Sequence, residues 1–292
     1  MSLAIRIIPV LLLRNRGLEK SIKFTDCKYV GCAVNAARVF SNRNADELIL
    51  LDTLATSQDR RPHLDIVKEI ADETFMPFTV GGGIRTVDDI WALLTMGADR
   101  VAINTAAIEH PELITAGAER FGRQCMVVSL DYKERRDGSY EIYTHSGSRP
   151  TGIDPVQAAV DLEAAGAGEI LLTSIDRDGT LEGYDLALTR AVADAVSIPV
   201  IACGGAGAIS HLASVCYEGH ASAAAGRVFP VLRQAARGAD HVSHGQGAAR
   251  PLQGGACPAE TLGGPGGHDA RAALATGLFS GPRTSGRRRI VF

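Results

Sequence analysis

FTVGGGIRTVDDIWALLTMGAD (78–99) has a counterpart about 122 residues later, VIACGGAGAISHLASVCYEGHA (200–221). Each passes from a short apolar run through a glycine-rich turn into a segment of helical period. A second pair, DELILLD (46–52) and GEILLTS (168–174), lies at the same displacement, so the chain reads as two (βα)4 halves. Working outward, continuous apolar runs recur at 5–13, 47–52, 77–80, 100–104, 125–131, 169–176, 198–203 and 221–225, as expected of strands buried on both faces. Between them the periodicity predicts helices over 32–42, 63–74, 86–97, 111–122, 154–165, 185–196 and 209–218. Thr86 is placed to cap the third of these, with Asp88 and Asp89 in its first turn. Eight strands alternating with seven helices make a parallel α/β architecture. Two like halves close into a (β/α)8 TIM barrel, whereas a doubly wound sheet needs a reversal of strand order that the repeat does not offer.

Composition divides the chain differently. The whole is 292 residues with 46% hydrophobic and 22% charged residues and a formal net charge of −3. Residues 1–229 hold 22 Lys+Arg against 30 Asp+Glu, while residues 230–292 hold 8 Arg, no Lys and 3 acids. The second stretch is rich in Gly, Pro, Ala and Arg, a composition that buries little apolar surface and favours disorder. Fold and function are therefore sought in a 1–229 barrel, with 230–292 as a tail. Aromatics are 5% of the chain with one Trp, and no apolar run approaches the roughly 18 residues of a membrane span. Neither a membrane protein nor a nucleic-acid-stacking module is expected.

The six cysteines, Cys27, Cys32, Cys125, Cys203, Cys216 and Cys257, show no CxxC and no paired spacing with histidine. They read as free thiols, with no metal site, cofactor or disulfide framework. The Ile7–Leu13 run is short, contains Pro9 and lacks a preceding basic segment and a cleavage pattern, so it reads as a buried strand and the protein as cytoplasmic.

In a parallel barrel the chemistry belongs to the C-terminal strand ends. Gly81-Gly82-Gly83 and Gly204-Gly205 follow strands at matching places in the two halves, each before a helix, where backbone N–H groups can face an anion. The pair implies a ligand with two phosphates across the barrel mouth. Asp52, Asp131, Asp176 and Asp178 emerge from apolar runs at the same face; the alternative for each is a loop cap or an ion pair, but Asp131, which closes a buried run before the polar Tyr132-Lys133, is expected to be functional.

The segments VGGGIRTVDD, GADRVAINTAA, SLDYK, YTHSGSRPTGID, GAGEILLTSIDRDGT and VIACGGAG, in register over residues 5–229, resemble the cyclase subunit of imidazole glycerol phosphate synthase, HisF. The resemblance implies a barrel that receives ammonia from a glutaminase (HisH-like) docked at its N-terminal face and uses it on a bis-phosphorylated ribulosyl nucleotide. It implies Gly83, Asn104 and Thr105 at one phosphate and Asp178, Gly179, Gly205 and Gly226 near the other, with Gly82, Thr173 and Gly204 as further phosphate- or substrate-binding residues. Asp52 lies nearby, Lys20 matches a first-loop lysine, and Asp131 matches one of two catalytic aspartates.

The second catalytic aspartate is Leu12 here. Loss of such an acid/base removes about two to four orders of magnitude in rate. The segment IIPVLLLRNRG resembles instead a HisF-like branch associated with surface-polysaccharide biosynthesis, in which ammonia serves amidation of a sugar by a separate amidotransferase. Arg6, Glu47, Arg100 and Glu169 fall where the family has a charged gate for ammonia; the alternative is a salt-bridged plug. Arg100 replaces the usual Lys. The resemblance thus implies ammonia delivery for sugar amidation, or histidine-biosynthetic cyclisation, or an inactive gene product. The last arises because the eighth helix is missing or replaced after Gly226. Arg227 stands where the family has Ser, and a one-base insertion near Pro230 is expected to have produced the tail.

Overall fold

The computed structural model describes residues 6–226. In chain order the elements begin with β1 (Arg6–Arg14), β2 (Gly17–Ile22), β3 (Thr25–Cys32), α1 (Ala33–Asn42), β4 (Leu48–Asp52) and α2 (Leu64–Glu73). Then come β5 (Phe78–Gly81), α3 (Val87–Thr95), β6 (Arg100–Ile103), α4 (Thr105–Glu109), α5 (Glu112–Phe121), β7 (Met126–Glu134), β8 (Tyr140–Thr144) and β9 (Arg149–Pro150). The series ends with α6 (Pro155–Ala165), β10 (Glu169–Ser174), α7 (Leu186–Ala195), β11 (Val200–Cys203), α8 (Ile209–Tyr217) and β12 (Ala223–Gly226).

Eight of these strands close a parallel barrel in the order β1-β4-β5-β6-β7-β10-β11-β12, with β12 returning to pair with β1 at Arg6↔Ala223 through Pro9↔Gly226. The chain is a (β/α)8 barrel, and each of the eight expected strands and seven expected helices is present. The halves match in detail: β5 and β11 are each four residues long, and α3 and α8 nine residues each. The expectations for residues 230–292, the eighth helix, Arg227 and a frameshift near Pro230 lie outside the described residues.

Alternation along the strands builds two apolar layers. Ile8, Val10, Ile49, Ala102, Val127, Leu171 and Ile201 form one cluster, the barrel interior, with Leu12 and Leu51 packed at its edge. Leu11 and Leu13 of the same β1 strand belong to the cluster between barrel and helices, with Phe40, Ile70, Ile90 and Ile114. A strand buried on both sides must be apolar at consecutive positions, which is why β1 reads as an unbroken run. The predicted cap is a full capping box: Thr86 Oγ1 accepts from Asp89 N at 3.1 Å, and the Asp89 carboxylate accepts from Thr86 N at 3.0 Å.

Two antiparallel ribbons and α4 were not expected from period. Strand β2 pairs with the end of β1 and with β3, and β8 pairs with the end of β7 and with β9. Both rise from C-terminal ends of barrel strands and so stand at the mouth.

Candidate functional site

A cavity of about 560 Å³ opens at the C-terminal strand ends. Its floor is apolar, made by Val10, Leu12 and Leu51 from the top of the barrel interior. Gly82, Gly83, Asn104 and Thr105 all line it, so the residues expected at the first phosphate converge in space. The turn demands glycine: Gly83 has φ +68, and a Cβ there would lie 2.3 Å from the Arg60 carbonyl oxygen. Asn104 Nδ2 donates to the Ser129 carbonyl at 2.9 Å, and Thr105 Oγ1 accepts from His145 N at 3.0 Å, which fixes both beside the turn.

The residues expected near the second phosphate are divided: Asp178 and Gly226 line the cavity, whereas Gly179 and Gly205 do not; of the further expected binding residues, Thr173 lines it and Gly204 does not. The second turn is instead packed against the β10–α7 connection, with Gly205 O accepting from Gly183 N at 2.8 Å.

Asp131 lies on β7 with its carboxyl toward the cavity, paired in register with Thr173 of β10. Enclosure by the barrel mouth pushes its carboxyl up to about 7, with the nearby Asp178 charge adding to the rise, while hydrogen bonds from Thr173 and Ser129 oppose it. The Ser129 hydroxyl stands 3.5 Å from Asp131 Oδ1. A carboxyl at that position exchanges a proton near neutral pH, which suits general acid–base work. Beside it the buried Cys203 thiol is pushed up to about 12, chiefly by burial, so it stays a neutral group. Four strands around the barrel, on β1, Leu12 brings only an alkyl side chain to the same cavity.

Two expected ligands are placed otherwise. Asp52 lines the cavity, but its carboxylate is taken by Arg60 in a forked pair (2.6 and 2.9 Å) and by the N–H groups of Leu54 and Ala55, both at 3.2 Å. It closes the β4–α2 loop on itself. Lys20 is exposed and does not line the cavity. Alternation along β2 turns its neighbours Glu19 and Ser21 inward instead; Glu19 is 6% exposed, opposite Leu12 in the β1–β2 register. Residues 17–32 carry no apolar strand period, and only a ribbon assignment there makes their polar alternation visible.

At the opposite end, the four expected gate residues form a closed ring. Arg6 Nη1 donates to Glu47 Oε1 at 2.6 Å and Arg6 Nη2 to Glu169 Oε1 at 2.9 Å. Arg100 Nη1 donates to Glu47 Oε2 at 2.7 Å and to Glu169 Oε2 at 3.0 Å. Every carboxylate oxygen is used once, and the glutamates are buried. These positions come from β1, β6, β10 and the residue before β4, at the N-terminal strand ends.

Among the described residues no group of three His, Cys, Asp or Glu side chains is arranged to hold a metal ion, and no helix is long and apolar enough to cross a membrane. The family model described as histidine biosynthesis protein matches residues 6–232, which takes in every barrel strand.

Proposed function

The chain belongs to the histidine biosynthesis protein family, as a HisF-type barrel, and from that membership we propose that it is the ammonia-receiving subunit of a glutaminase-dependent complex acting in the cytoplasm. In this reading a HisH-like glutaminase docks at the N-terminal strand ends. Ammonia passes the Arg6–Glu47–Arg100–Glu169 ring and the apolar interior, and emerges in the cavity for amidation of a surface-polysaccharide sugar with a separate amidotransferase.

The observation that carries it is the contrast between the two ends of one barrel. The charged ring is complete, while the opposite mouth keeps Asp131 and has Leu12 facing it. An alkyl group neither takes nor gives a proton, so a cyclisation that needs an acid and a base on opposite sides of its substrate loses one of them. Ammonia, small and neutral, needs only a passage. The phosphate turn at Gly82–Gly83, with Asn104 and Thr105, anchors the ligand beside the exit.

The second reading is the histidine-biosynthetic cyclase, favoured by Asp131, whose carboxyl titrates near neutrality beside that turn. The two are separated by turnover of the bis-phosphorylated ribulosyl nucleotide with ammonium salt. Failure to turn over, together with co-purification of a neighbouring glutaminase, supports delivery; robust turnover replaces it with the cyclase reading. A chain that does neither is an inactive product.

A further inference from the structure

We propose that Glu19 reads an amino group on a phosphorylated, monosaccharide-sized ligand, so that the cavity prefers amino-sugar phosphates to their hydroxyl counterparts. The inference deepens the function proposed above and rests on its reading of the cavity as a phosphate-anchored ligand site.

Burying a carboxylate is costly without hydrogen-bond donors. Glu19, 6% exposed, has donors on each oxygen: Thr53 Oγ1 gives to Oε1 at 2.8 Å and Arg14 Nη1 to Oε2 at 3.2 Å. A carboxylate offers about four acceptor positions, so these two donors leave acceptor positions open to a ligand. Thr53, Arg14 and Cys27 line the cavity along with Glu19, which places the whole group at its wall.

The rest of the cavity sets what that ligand is. Gly82, Gly83, Asn104 and Thr105 supply the anchor for a phosphoryl group. Val10, Leu12 and Leu51 offer an apolar floor for a carbon skeleton. A volume of about 560 Å³ suits a small polar metabolite and lies within the usual range for such sites. Asp178 faces the same space, so a protonated amine is favoured there over a neutral hydroxyl, and its hydrogen bond to Glu19 is charge-assisted at both ends.

Calorimetric titration of the full-length protein with inorganic phosphate, glucose 6-phosphate and glucosamine 6-phosphate tests this. The two sugars differ only at one –OH or –NH3+. Wild-type protein is expected to bind the amino sugar about tenfold more tightly than glucose 6-phosphate. In Glu19→Gln that ratio should fall to within about twofold, with phosphate affinity unchanged. The ratio compares two ligands on one protein, so a loss of folded fraction does not move it. A wild-type ratio near one, or a ratio kept in Glu19→Gln while phosphate still binds, overturns the proposal alone. Absence of binding by all three overturns the phosphate-site reading and the proposal with it.

Discussion

Asp131 and Thr173 stand directly opposite one another on β7 and β10, and the hydroxyls of Thr173 and of Ser129, the latter 3.5 Å from Oδ1, favour the charged aspartate. Enclosure outweighs them, and the carboxyl rises to about 7. A raised carboxyl stabilises the fold most below its unfolded value of 3.8, and the contribution is lost as pH climbs to about 7. Asp131→Asn should therefore raise the thermal midpoint more at pH 8 than at pH 4. Equal effects at the two pH values, measured by differential scanning calorimetry, would show that burial does not govern this group.

The ring makes a sharper prediction about its two arginines. Arg100 serves both glutamates from one nitrogen, Nη1, whereas Arg6 uses Nη1 for one and Nη2 for the other. A lysine ammonium can reproduce the first arrangement but not the second. Arg100→Lys is expected to cost under about 1 kcal/mol and Arg6→Lys about 2 kcal/mol, roughly 4–8 °C. Reversal of that order in thermal denaturation contradicts the geometry.

Asp52 and Arg60 hold the β4–α2 loop, and the Arg60 carbonyl packs against Gly83. Asp52→Ala leaves a guanidinium without its partner and should destabilise by about 2–4 kcal/mol. Because the loop backs the glycine turn, inorganic phosphate should also bind several-fold more weakly. Unchanged phosphate affinity in a folded variant would separate the loop from the site.

Gly83→Ala places a methyl group against the Arg60 carbonyl at a backbone φ of +68. The expected cost is about 1–3 kcal/mol. Titration should show phosphate affinity reduced by an order of magnitude or more; retention of affinity means that the turn does not hold the anion.

The barrel was legible because its signal is redundant. Eight apolar runs, seven periodic segments and an internal repeat agree, and each strand run reflects burial on both faces. The glycine turn was legible for a different reason: Gly82 and Gly83 are excluded from bearing a Cβ by Asp52 and Arg60, and such positions leave a mark in sequence. The inward turn of Glu19 was not legible, since which face of a ribbon looks at a cavity depends on a register, Leu12↔Glu19, set by a tight connection between strands. Lys20 was expected to be the ligand-facing residue there and is one position out of phase. Asp52 has the position its strand end predicted, but its bonding to Arg60 comes from a loop without periodicity.

The seam between β1 and β12 joins Arg6 to Ala223, and every barrel strand is complete by Gly226. Bringing such distant ends together carries a closure entropy of about 5 kcal/mol beyond the constant term. Seven of the eight pairings join barrel strands that are consecutive along the chain, and only this one joins the first barrel strand to the last. During synthesis the nascent chain can therefore assemble seven of its eight barrel strands, β1 to β11, while the sheet is still unclosed. Its interior face stays exposed until residue 226 has left the ribosome, and that interval is when the chain is most vulnerable to aggregation or capture by a chaperone.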